Sequence, residues 1–167
     1  MAQLHRSAAT LRIMGDELIP QSITKLLGCE PTSSHTKGQV VGTTSTGKEI
    51  VRKSGMWRLE ATDCEPEDLN KQVAEILGKL PNDPGVWAQI SKQFRMDLTC
   101  GFFMNESNEG VVISIETLLA LGQRGIELDL DIYGPTQNIN ICCPCPCGSG
   151  QTYGECCVPK LENSRSE

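Results

Sequence analysis

Ile126-Glu-Leu-Asp-Leu-Asp-Ile-Tyr133 alternates without a break, apolar at even numbers and acidic or tyrosine at odd ones. Side chains of an extended strand point to opposite faces at successive residues, so the octet reads as a strand with one face on a core and one in water. Half-buried sheets of this kind are mostly antiparallel and carry their helices on a single side. Phe94-Arg-Met-Asp-Leu-Thr-Cys-Gly-Phe-Phe103 and Met56-Trp-Arg-Leu-Glu60 alternate in the same way. Shorter strands are read at Leu11–Gly15 and Val111–Ile113, and Val40-Val41 with Glu49–Arg52 flank a hairpin over Gly42–Lys48.

Helices separate these strands. Asp16 and Pro20 open one over Pro20–Leu27, and Gly28 closes it as the residue past the end. Glu65-Pro66-Glu67-Asp68 reads as a first helical turn, followed by Leu69, Val73, Ile76, Leu77 and Leu80 at helical spacing. Val86–Gln93 adds a turn or two. Ser114 caps a further helix that Gly122 or Gly125 ends. Glu30–Gly38 reads as a polar loop, and His5 falls in a start expected to be disordered. The order β-α-β-β-α-β-β-α-β predicts an α+β sandwich over residues 1–134, a largely antiparallel sheet with helices on one face. A linker over 135–142, a small C-terminal zinc knuckle over 143–159 and a disordered tail over 160–167 complete the expected layout.

The knuckle rests on Cys145-Pro-Cys147-Gly-Ser-Gly-Gln-Thr-Tyr-Gly-Glu-Cys156-Cys157. Two tight thiol pairs supply the four soft ligands that tetrahedral Zn²⁺ takes, with sulfur about 2.3 Å from the metal. Gly148, Ser149 and Gly150 let the backbone curl and point N–H groups at the thiolates. Four thiolates leave no open position for water, which describes one structural zinc and not a catalytic one. Cys142 and Cys143 could enter the shell, stay free or pair under oxidation.

Composition narrows the partners. The net charge of −6 repels nucleic acid unless a basic patch is local and strong. Lys48, Arg52, Lys53 and Arg58, interrupted by Glu49, read as a solvated strand face. No run approaches a membrane span, and no secretory signal is visible. Nine cysteines, an odd number with six of them crowded into Cys142–Cys157, fit a reducing cytoplasm. With few aromatics, the core should be aliphatic, with Trp57 and Trp87 inside it. Cys29, Cys64 and Cys100 read as small buried hydrophobes.

Gly42-Thr-Thr-Ser-Thr-Gly47-Lys48 has phosphate-loop spacing, but Glu49 stands where a Ser or Thr must hold Mg²⁺, and strand follows where a helix is required. Nucleotide binding is rejected. His35 and Lys37 in the polar loop, and the carboxylates of the last strand, about 7 Å apart along one face, are the candidates for a ligand or enzymatic site. Each has a plainer explanation as a solvated loop or strand residue. Of the strand acids, Asp129 and Asp131 are the ones carried forward beside His35 and Lys37.

The spacing C-x-C-x8-C-C, with Ser-Gly inside it and Tyr153 before the second pair, resembles the SEC-C motif, the zinc-binding tail of the preprotein-translocase ATPase SecA. The resemblance implies one Zn²⁺ on Cys145, Cys147, Cys156 and Cys157, with Ser149, Gln151, Tyr153 and Glu155 as a small recognition surface. Ribosome, chaperone or secretion machinery would be the partner, as for that tail. Residues 1–134 resemble the bacterial domain-of-unknown-function family 4279, on Ile23-Thr-Lys-Leu-Leu-Gly28, Pro31–Gly38, Trp57-Arg-Leu and Leu128–Tyr133. That resemblance implies a fold and no activity. The function expected is a cytoplasmic, zinc-binding adaptor that binds a protein partner, with nucleic acid not expected as a partner and no membrane association. The alternatives are an enzyme or small-ligand binder at His35/Lys37 and Asp129/Asp131, and an immunity-type protein whose acidic face meets a basic toxin. Oligomeric state is open.

Overall fold

The computed structural model describes residues 2–135 and 151. Its elements run β1 (Ala2–Gln3), β2 (Arg6–Gly15), α1 (Pro20–Leu27), β3 (Ser33–His35), β4 (Val40–Thr43), β5 (Glu49–Val51) and β6 (Gly55–Glu60). They continue with α2 (Leu69–Gly78), α3 (Pro84–Ser91), β7 (Arg95–Phe103), β8 (Glu109–Gly110), α4 (Ile115–Gly122) and β9 (Glu127–Tyr133). Among the described residues this is a mixed α/β fold with one five-stranded sheet and four helices, and the chain divides into units 1–135 and 136–167.

The sheet order is β3-β6-β2-β7-β9, so the long N-terminal strand β2 lies in the middle. β2 pairs antiparallel with β6 (Ile13 opposite Trp57) and with β7 (Ile13 opposite Met96), and β3 pairs antiparallel with β6. β9 is the exception: it runs parallel to β7, with Leu98 opposite Leu128 and Phe102 opposite Ile132. The reason is α4, which carries the chain back before β9 begins, a crossover that parallel neighbours require and a hairpin cannot provide.

Four elements differ from those read in the sequence. β2 begins at Arg6 because Ser7 and Ala9 are small enough to lie under α2, a burial that hydropathy does not signal. His5 therefore sits between two strands and not in a disordered start. β3 forms inside the polar loop, with Ser34 opposite Trp57. α2 starts at Leu69, where the Asp68 carboxylate accepts from the Lys71 N–H at 2.9 Å, so the preceding acids and the cis Glu65–Pro66 bond lie outside the helix. Val111–Ile113 is not a strand, and Glu109-Gly110 pairs with Ala2-Gln3 instead.

One sheet face carries the helices and the other is open. Leu11, Ile13, Trp57, Leu98 and Phe102 are all buried on the helix side, under α1, α2 and α4. Trp57 and Trp87 are fully inside, each ring removing roughly 200 Å² from water, worth about 5 kcal/mol at most. Their indole N–H groups are satisfied, Trp57 donating to Thr24 Oγ1 at 3.1 Å and Trp87 to the Pro81 carbonyl at 2.8 Å. A buried polar clamp fixes α2 to β2: Ser7 Oγ donates to Gln72 Oε1 at 2.8 Å, and Gln72 Nε2 donates to the carbonyls of Ser7 and Thr62 at 3.1 and 2.9 Å. At the far end of β6 a Cβ on Gly55 would come within 2.7 Å of the Leu18 carbonyl oxygen, so glycine is what lets the chain pass.

Candidate functional site

The open sheet face collects most of the charged chemistry. Asp97, on β7, is completely buried although it points to this side, because Arg12 of β2 lies across it. Arg12 Nε donates to Asp97 Oδ1 at 2.6 Å and Nη2 to Oδ2 at 3.0 Å, and the same Nη2 donates to Asp129 Oδ2 at 3.1 Å. Thr99 adds a hydroxyl donor to Asp97 at 3.3 Å. The hydrogen bonds to Asp97 raise the Arg12 pKa, against burial, with the charges of Asp97 and Asp129 adding to the effect. This is a two-pronged guanidinium–carboxylate pair, the geometry that holds charge in place.

Around it β9 spends its acids locally. Glu127 accepts from Arg95 at 2.9 Å, and Asp131 accepts from the Tyr133 hydroxyl at 2.5 Å, which raises the tyrosine pKa. The Tyr133 ring stacks on Phe103 at 4.8 Å, and Arg6 lies 3.8 Å over the Phe103 ring. Both rings overhang Gly101, whose missing side chain makes room for them.

The proposed grouping of His35 and Lys37 with Asp129 and Asp131 does not form. His35 is on β3 and the two acids are on β9, at opposite edges of the sheet, about 19 Å across four strand spacings. The Lys37 ammonium is bonded to Asp16 at 2.5 Å, which raises its pKa, and His35 is lowered by burial and by the charges of Arg52 and Arg58. A shared cleft for these groups is therefore corrected to two unrelated surfaces. A groove of about 410 Å³ between α2 and α4, lined by Val73, Leu77, Thr117 and Arg124, contains none of them.

The thiols follow the plain expectation at one position of three. Cys100 is wholly buried and its pKa is pushed up to about 12 by burial, then by the charge of Glu67. Cys29 and Cys64 are only half-buried, and all three are free. Burial raises the Cys64 pKa. Gly42–Lys48 forms the end of the β4–β5 hairpin, with β5 following where a nucleotide-binding loop needs a helix.

A protein-family model described as a domain of unknown function, DUF4279, matches residues 3–135. The chain belongs to the DUF4279 family. A second model, the SEC-C motif, matches residues 144–159 and so spans Cys145, Cys147, Cys156 and Cys157. Those four cysteines, with Ser149, Tyr153 and Glu155, lie outside the described residues; Gln151 is described and lies at the surface. No curated protein and no solved structure matches the chain significantly. Among the described residues of the DUF4279 domain no cluster of His, Cys, Asp and Glu could hold a metal, and no helix is long and apolar enough to cross a membrane.

What sequence reading missed here is the buried Arg12–Asp97 pair. The register that sets residue 12 opposite residue 97 carries no local signal, although a charged residue at each end of two alternating strands was visible.

Proposed function

We propose that this DUF4279 protein is a zinc-binding interaction protein of a reducing compartment, with a C-terminal knuckle that recruits a protein partner. The observation that carries the reading is the SEC-C match over 144–159, which encloses four thiols at C-x-C-x8-C-C spacing. A donor set of four cysteinates suits Zn²⁺ and leaves no position for substrate, so the metal supplies structure to a segment too short to hold a core. The free thiols Cys29, Cys64 and Cys100 in the DUF4279 domain support a reducing compartment. Ser149, Gln151, Tyr153 and Glu155 are the residues through which the knuckle would be read, and ribosomal, chaperone or secretion proteins are the partners to look for first.

Metal analysis of the purified full chain tests the first half. About one zinc per chain is expected, lost in a Cys145→Ser/Cys157→Ser variant whose α/β domain keeps its circular dichroism. Affinity capture with both forms tests the second half. Proteins held by the wild type and released by the variant support recruitment through the knuckle, whereas identical captures refute it.

A further inference from the structure

The groove between α2 and α4 is hollowed out by small residues. Ala74 and Gly78, one turn apart on α2, and Ala120 on α4 all line it, and a Cβ on Gly78 would meet nothing within 4 Å. Val73, Leu77 and Leu80 add an aliphatic wall. Its volume of about 410 Å³ is that of a small-molecule site. Glu116 lines one end and Arg124 the other, eight residues on, a span of about 12 Å along a helix axis.

The Arg124 end lacks an anion. Arg6, Arg12, Arg58 and Arg95 each reach a carboxylate, those of Asp63, Asp97, Glu60 and Glu127 in turn. Arg124 instead bonds to two neutral oxygens, Nη1 to the Ala120 carbonyl at 2.9 Å and Nη2 to Asn82 Oδ1. Its Nε is buried and, among the described residues, has no acceptor. Nε and Nη2 together form the edge of a guanidinium that takes a carboxylate through two parallel bonds, and it is this edge that Arg12 sets against Asp97. At Arg124 only the amide of Asn82, an exposed side chain, stands where that carboxylate would be. Arg58 Nε is likewise buried without an acceptor, but Glu60 already neutralises that side chain. A buried donor left without a partner destabilises, and an incoming carboxylate would relieve it.

We propose that this groove binds an aliphatic monocarboxylate of about eight to ten carbons, the chain length that a span of about 12 Å accommodates. The carboxylate takes Arg124 Nε and Nη2 in place of Asn82, and the chain lies along Ala120, Ala74 and Gly78 toward Glu116. Burying the chain against Val73 and Leu77 adds apolar contact that a short acid cannot make. Glu116 fixes the direction, since a second carboxylate at its end would be repelled. The Arg124 guanidinium lies 5.7 Å from the centre of the Trp87 ring, so that indole senses what happens at the charged end. The site lies within the DUF4279 domain and is independent of zinc binding by the SEC-C segment.

Titrating the full chain with sodium octanoate under reducing conditions, and following the two indole N–H signals by nitrogen-15 NMR, tests this. The Trp87 signal should move and saturate, while that of Trp57, bonded to Thr24 on α1, stays in place. Acetate, which has no tail, octanol, which has no charge, and octanedioate, which brings a second charge to Glu116, should each bind at least about tenfold more weakly. Arg124→Gln should weaken octanoate binding by at least about tenfold, and Ala74→Leu, which fills the groove and leaves the guanidinium in place, should abolish it. Asn82→Ala, which clears the edge, should bind octanoate at least as tightly as the wild type. An unmoved Trp57 signal in each variant shows that the fold is kept. Octanoate that leaves the Trp87 signal where it was overturns the proposal. So does octanol binding as tightly as octanoate, or an Arg124→Gln variant with wild-type affinity.

Discussion

Replacing Arg12 with methionine keeps most of the aliphatic stem and removes the guanidinium, leaving the buried Asp97 carboxylate with the Thr99 hydroxyl and, at 3.9 Å, the largely exposed guanidinium of Arg95. Breaking a buried ion pair from one side costs about 3–5 kcal/mol, because a desolvated charge loses its compensation. Asp97 is at the severe end of that range, with its side chain fully inside and two charge-assisted bonds lost at once. The third bond, to Asp129, goes to a carboxylate half in water and adds under about 1 kcal/mol. Against a domain stability of about 5–15 kcal/mol the variant remains folded but weakened. With a urea slope of about 2 kcal/mol per molar, its midpoint should fall by roughly 1.5–2.5 M, read by tryptophan fluorescence from the buried Trp57 and Trp87. Two companions separate the causes. Asp129→Asn should move the midpoint by less than about 0.5 M. Arg12→Met combined with Asp97→Leu should recover to within about 1 kcal/mol of wild type, since an apolar pair has no charge to strand. If Arg12→Met costs no more than Asp129→Asn, the assignment of a buried, essential pair is wrong.

Gly55→Ala should cost about 1–3 kcal/mol, because the new Cβ meets backbone oxygens of Leu18 at 2.7 Å and Gly15 at 2.9 Å, which cannot swing aside. Gly78→Ala, in open space at the end of α2, should be neutral or stabilising by about 0.5–1 kcal/mol in the same urea assay. Cys100 gives a pH signature. Its thiol titrates near 9 in the unfolded chain and is pushed up to about 12 in the fold, so the neutral form stabilises the fold below about pH 9. That contribution disappears as pH climbs through the folded value, at up to about 1.4 kcal/mol per unit, and urea midpoints of Cys100→Ala should fall less steeply over this interval than those of wild type.

The frame of this fold was legible wherever side-chain size and polarity alternate together. β6, β7 and β9 announce themselves through apolar residues set between charges, and α1 through Pro20 at its start and Gly28 at its end, where φ is +65°. The first half of β2 was hidden because Ser7, Ala8 and Ala9 differ little in hydropathy, although Ser7 and Ala9 are buried. β3 was hidden because three polar residues form a strand only when β6 is there to pair with them. The parallel setting of β9 depends on where α4 delivers the chain, a matter of path and not of pattern. For the candidate site the limit was pairing at a distance. His35 and the β9 acids looked combinable in a list of residues, and only strand order puts them at opposite edges.

A sheet whose middle strand is also nearly its first has a consequence for biosynthesis. Arg12 and Asp97 are 85 residues apart, and β2 has no neighbour on that side until β7 has been made. At about 5–20 residues per second the ribosome needs roughly 4–17 s to supply it. Throughout that interval Leu11 and Ile13 can pair with β6 on one side while the other side of β2 stays unzipped. Contacts so distant along the chain also slow folding once synthesis ends. A nascent chain of this family therefore spends seconds displaying an apolar strand with one raw edge, and it is in this period, not in the finished molecule, that β2 is most open to wrong partners.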